Sequence, residues 1–235
     1  MTITNNPWKS LSMRDGIIAE CDELFFASQK VTPHQYASMI NNSNPKTKTE
    51  LTFDCLPEPY SGNPESKVYC LNKNPGEPDK CFDGDMEFAR AMIDNMLLKS
   101  PDCFWAEGIK NKCGKQHGGV DWLVKRTQKL EEILDRHPNI FFVEYFPYHS
   151  KEGFAFPECL PSYKFSDDLI YQAMKEEKLI IIMREKKNWL KRIKGLGSYP
   201  LLYTLKNAQG GYLTPTNIID NKEISITNNV INYYF

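Results

Sequence analysis

The chain has 235 residues, 41% apolar and 25% charged, with a net charge of −1. An aromatic content of 12% and balanced charge exclude a disordered chain, and the length supports one sizeable core. No run approaches the roughly 18 apolar residues of a membrane-spanning helix, so no membrane partner is expected.

The polar N-terminus, Met1–Asp15, lacks the apolar stretch of a secretory signal, which predicts a cytoplasmic location. Seven cysteines without a C-x-x-C pair then read as reduced thiols. Cys103, Cys113 and His117 are close enough in sequence to be metal ligands. The plainer reading is a loop with incidental polar residues, and no metal or other cofactor is expected.

In chain order, Cys21–Ala27 and His34–Ile40 read as short helices, and Asn41–Lys48 as a polar connector. Residues 1–54 form an N-terminal helical extension packed on the core, and residues 55–235 form one α/β domain. Four apolar runs follow: Lys67–Asn72, Asn139–Phe146, Leu179–Arg184 and Pro200–Leu205. Unbroken apolarity over such short stretches suits strands buried on both faces. Between them, Asp83–Leu98 places Phe88, Met92 and Met96 at helical spacing, and Gly119–Arg136 carries a second apolar helical stripe closed by His137-Pro138. Ser166 caps a third helix, Asp167–Lys178, and Glu185–Ile193 is a short basic helix ended by Gly195.

Strands alternating with helices predict a three-layer α/β sandwich around a central, mainly parallel four-stranded sheet. Ligands of such sheets bind beyond the carboxyl ends of the strands. The segments to search are therefore Lys73–Lys80, Pro147–Gly153, Lys186–Lys191 and Lys206–Thr214. Residues 179–206 also hold seven basic residues against one acidic residue. Such a stripe suits a polyanion, and suits equally a solvated helix face.

The first strand end reads Asn72-Lys73-Asn74-Pro75-Gly76, after a lead-in of Pro59-Tyr60-Ser61-Gly62-Asn63. The last strand end reads Asn207-Ala208-Gln209-Gly210-Gly211-Tyr212-Leu213. This layout resembles the uracil-DNA glycosylase superfamily. The first segment matches the last three positions of the G-I-N-P-G motif of the mismatch-specific and thymine-DNA branches. The second keeps the Asn and Gly of their N-P-S-G-L-S motif. The resemblance implies cleavage of the N-glycosidic bond of a base flipped out of DNA, single- or double-stranded.

Residue by residue, the resemblance gives Asn74 the attacking water and gives Asn207 a hydrogen bond to the base's developing oxyanion. Phe82 or Phe88 would stack on the base. Asn72, Lys73, Pro75 and Gly76 would line the site, with Tyr148 and His149 at its mouth. The Gly210–Leu213 loop, with Gly211, Tyr212 and Leu213, would enter the minor groove, and Lys187, Lys191 and Lys194 would hold phosphates. Two positions depart from the pattern. Asn72 replaces the usual Gly and threatens to crowd the water or base. Glu144 stands where the uracil-reading branch has Asn. As a carboxylate it would accept from base N–H groups and repel carbonyl oxygens, favouring a cytosine or purine edge. A plain salt bridge between Glu144 and Lys73 is the alternative. The iron–sulfur branch has a C-x-x-C before the first motif; its lack here predicts no cluster.

Two other function classes remain open. One is a weak or inactive module on the same fold that binds nucleic acid or a protein, favoured by Asn72 and Glu144. The other is a small-molecule enzyme, disfavoured because no G-x-G-x-x-G follows the first strand. No G-x-S-x-G is present to signal a serine hydrolase.

Overall fold

The computed structural model describes residues 5–11, 17–43, 48–78, 85–99 and 117–235. Its strands are β1 (Tyr60–Ser61), β2 (Val68–Leu71), β3 (Ile140–Val143), β4 (Leu179–Ile182), β5 (Leu202–Leu205) and β6 (Ile218–Asp220). Its helices are α1 (Glu20–Ser28), α2 (Pro33–Ser43), α3 (Met86–Met96), α4 (Gly118–Leu134), α5 (Tyr163–Lys175), α6 (Lys186–Arg192) and α7 (Asn228–Tyr234).

The strands form one mixed sheet in the order β1-β3-β2-β4-β5-β6. The four central strands are the four apolar runs, and they pair in parallel. Leu71 lies level with both Val143 and Ile182, so the carboxyl ends of β2, β3 and β4 are flush. Every residue of those three strands is buried. The predicted sheet had four strands; the observed one has six. β1 and β6 add antiparallel edges of two and three residues. Neither is long enough to show an apolar run, and each covers an edge that would otherwise stay unpaired.

Side chains alternate across the sheet, so each strand feeds two cores. Tyr69, Leu71, Phe141, Val143, Ile180 and Ile182 enter one. α5 contributes Leu169 and Ile170 to it, and α6 contributes Trp189. Val68, Cys70, Ile140, Phe142, Leu179 and Ile181 enter the other, packed by Val120, Leu123 and Leu130 of α4. α3 reaches both, through Met96 and Met92 respectively.

The N-terminal segments join the first core. Trp8, Phe26 and Phe53 are fully buried there. The Phe53 ring lies 4.7 Å from Tyr148, and Phe26 packs edge-on against Phe53. Asn6 donates to Met96 O, which ties the first residues to the end of α3.

Two element boundaries differ from expectation. α5 starts at Tyr163, so Ser166 is an interior, buried helical residue and not the cap. The helix begins early because Asp22 of α1 accepts from Ser162 N at 2.9 Å, satisfying an amide at its start. α7 was not predicted; it is one short stretch, capped by Thr227. The turn between β1 and β2 needs glycine. Gly62 has φ +111°, and a Cβ there would lie 2.6 Å from Ile140 O.

Candidate functional site

A cleft of about 990 Å³ opens at the carboxyl ends of the parallel strands. Asn72 and Asn74 reach it from beyond β2, Glu144 from beyond β3, Met183 and Arg184 from beyond β4, and Gln209 and Gly211 from beyond β5. The site thus lies where sheet topology places ligands.

Asn72 and Glu144 meet at this cleft. The Asn72 backbone is pinned from both sides: its N–H donates to Val143 O at 2.8 Å, and its carbonyl accepts from Trp189 Nε1 at 2.8 Å. Its side-chain Nδ2 then donates to Glu144 Oε1 at 3.1 Å. The amide is therefore engaged with the carboxyl group. Glu144 Oε2 is shut off from solvent and has no hydrogen-bond partner. The Glu144 carboxyl is held well above its ordinary range, first by burial and then by the Glu58 carboxylate; the Asn72 bond opposes both. Glu58 itself lines the cleft and is almost wholly buried. The alternative pairing of Glu144 with Lys73 does not occur. Lys73 lines the cleft beside Gly153, where any Cβ would collide with its Nζ.

Asn74 also faces the cleft. Its Nδ2 donates to Ser150 O at 2.8 Å and to Ser150 Oγ at 3.1 Å. Oδ1 is the end of the amide those two bonds leave over. Pro75 and Gly76 continue the wall. His149 completes it, with Nδ1 3.1 Å from Gly76 O. Burial lowers the His149 imidazole to about 4, so it is neutral near pH 7 and donates Nδ1–H to that carbonyl.

Tyr148 is placed differently from expectation. Its hydroxyl donates to Asp22 Oδ2 at 2.7 Å and accepts from Ala19 N, inside the N-terminal layer. Successive residues of this extended segment point to opposite sides, so His149 lines the cleft and Tyr148 does not.

Two arginines line the cleft on the far side. Arg184 donates to Gln209 O, and Arg126 lies over the Trp122 ring at 5.0 Å. Burial and the nearby Arg184 charge both lower the Arg126 guanidinium. Its Nε is enclosed and has no partner. Gly211, at φ +66°, brings the backbone past both: a Cβ there would sit 3.5 Å from Arg126 Nε.

The remaining expected residues lie elsewhere. Asn207 is exposed and sits in a neighbouring depression with Lys129 and Asn217. Its Oδ1 accepts from Gln209 N, so the side chain caps its own turn. Leu213 is fully buried in the α4-side core and is no wedge; its N–H donates to Arg126 O. Tyr212 is half exposed, with its ring folded over Gly210. Phe88 stacks on His117 at 4.9 Å and is not a cleft residue, although His117 is. Phe82, Cys103 and Cys113 lie outside the described residues. Lys187 and Lys194 are exposed, while Lys191 pairs with Glu158 at 2.5 Å. Arg192, counted in the basic stripe, is internal: it pairs with Asp167 at 2.7 Å and stacks on Tyr163.

Sequence reasoning missed Glu58, Trp122 and Arg126. Glu58 sits in the lead-in loop, with no periodic signal. Arg126 sits on α4, where a cation reads as ordinary solvent-facing charge. Among the described residues, no group of three or more His, Cys, Asp or Glu side chains could hold a metal, and no helix is long and apolar enough to cross a membrane. No protein-family model, curated protein or solved structure matches the chain.

Proposed function

We propose that the cleft receives a nucleobase turned out of a DNA strand and that the protein hydrolyses its N-glycosidic bond, as the resemblance to uracil-DNA glycosylases implies. The observation that carries this reading is the convergence of Asn72, Asn74 and Glu144 on one cleft at the strand ends, with Arg126 and Arg184 across from them. Asn74, fixed through Nδ2 by Ser150, offers Oδ1 to orient a water toward the sugar carbon. As the bond to the base breaks, the carbon gains positive character and the base leaves with the electron pair. The water then adds to the carbon and gives up its proton. The buried arginine charges stabilise the flanking phosphates and the negative charge of the departing base.

A second reading is favoured by one observation. Asn207 caps its own turn outside the cleft, so the departing base lacks the donor that the second motif supplies. On that reading the cleft binds a base without turnover.

The test is a single-turnover assay on oligonucleotides carrying uracil, hypoxanthine, xanthine or mismatched thymine, with alkali to break abasic sites. Cleavage of one substrate is expected. Asn74→Ala should slow it on the order of 10²-fold with little change in DNA binding, because the water acts only in the transition state. Equal rates in wild type and variant would remove Asn74 from the mechanism. Binding without cleavage of any substrate would establish the second reading.

A further inference from the structure

The Glu144 carboxyl has an asymmetry that points to its ligand. One oxygen, Oε1, is committed to Asn72 Nδ2. The other, Oε2, is enclosed and unpartnered, on a side chain that lines the cleft. An enclosed carboxylate oxygen without a donor is costly, whereas a protonated one carries its own O–H to offer. Of the charged groups around the same cleft, Lys73, Arg126, Arg184, Lys151, Glu77 and Glu152 leave Glu144 unbalanced, and Glu58 acts against its ionisation. His149 is neutral and turned to Gly76 O.

We propose that Glu144 serves as a neutral carboxylic acid, accepting from Asn72 through Oε1 and donating Oε2–H to an exocyclic carbonyl oxygen of a nucleobase in the cleft. The ligand class is then a keto base such as uracil or hypoxanthine, and the amino bases cytosine and adenine are disfavoured. This rests on the nucleobase reading above and fixes its specificity. It also reverses the preference expected from an ionised Glu144. Asn72 acts as the positioning residue: it holds the acceptor oxygen so that the donor faces the ligand.

The test uses the full-length chain and three measurements. The first is the carboxyl ¹³C shift of Glu144 in glutamate-labelled protein, assigned by its loss in Glu144→Gln. A neutral carboxyl at pH 7 is expected; an ionised one overturns the proposal. The second is ligand-observed NMR with two pairs, 2′-deoxyuridine against 2′-deoxycytidine and 2′-deoxyinosine against 2′-deoxyadenosine. In the tighter-binding pair the keto member should bind about tenfold or more tightly. Glu144→Gln, whose amide also donates, should stay within about threefold of wild type, and Glu144→Ala should lose the preference. Preference for the amino member, equal loss in Gln and Ala variants, or binding of no nucleoside each overturns the proposal. The third is the abasic-site assay. Keto-selective binding without cleavage leaves the proposal standing and removes the hydrolase reading. Cleavage with amino preference does the reverse.

Discussion

Glu144 and His149 share the cleft and respond to pH in opposite senses. Burial holds the His149 imidazole at about 4 in the fold, against 6.5 in an unfolded chain. The unfolded chain takes up that proton first, so the contribution is complete above pH 6.5 and lost as pH falls toward 4. The two values differ enough to remove about 3 kcal/mol at most. Glu144 is raised above 4.5 in the fold, so its neutral form favours folding at low pH. That benefit is lost as pH rises through 4.5 and beyond. Urea denaturation from pH 4 to 8 should therefore show His149→Gln flattening the acid side. Glu144→Gln should gain stability relative to wild type with increasing pH. Parallel curves for wild type and Glu144→Gln would mean that this carboxyl has an ordinary acidity.

Asn72, Asn74, Glu144 and His149 were legible because each follows an apolar run, and strand ends face the ligand side of a parallel sheet. Tyr148 and Leu213 were not. Which side an irregular segment presents depends on where its strand stops, and one position moves a side chain from cleft to core. Arg126 was illegible for a different reason: only the path of the 209–213 loop, whose Leu213 N–H bonds to Arg126 O, encloses a residue that helix periodicity leaves ambiguous.

At the scale of elements, the last loop divides between two tasks. Leu213 anchors it in the α4-side core, and Tyr212 stands out from it. Leu213→Ala should cost about 2–5 kcal/mol in thermal or chemical unfolding, the usual range for emptying a core leucine site. Tyr212→Ala should change stability by less than about 0.5 kcal/mol, as expected of an exposed side chain. Comparable losses for the two would show that the loop is not anchored through Leu213. The four parallel strands were readable as apolar runs because burial on both faces removes polar alternation. β1, β6 and α7 carry too few residues for a period to show. Their pairing is dictated by the strands already in place.

For the whole molecule, charge counted along the sequence overstates charge offered to a partner. Of the basic residues at 179–206, Arg192 is consumed by Asp167 and Lys191 is paired with Glu158. Arg126, outside that stretch, lies with Arg184 in the cleft. If DNA is the ligand, Arg126→Gln with Arg184→Gln should flatten the salt dependence of binding by about two units on logarithmic axes, one per phosphate. Neutralising Lys187, Lys191 and Lys194 should flatten it by no more than about two. Fluorescence anisotropy across a salt series reads both slopes. Salt-independent binding would point to a partner that is not a polyanion.

The bond from Trp189 to the Asn72 carbonyl has a mechanical consequence. α6 has seven residues, too few to hold a helix by itself, so it keeps its shape largely through that buried indole. The same carbonyl belongs to the residue that steadies the Glu144 carboxyl. The outer helix and the cleft therefore share one rivet, and loosening either end is felt at the other. Trp189→Phe keeps most of the packing but removes the N–H. Amide hydrogen exchange should then quicken in α6 and around Asn72 together, while β5 and β6 keep their protection; quickening confined to α6 would show that the two ends move separately.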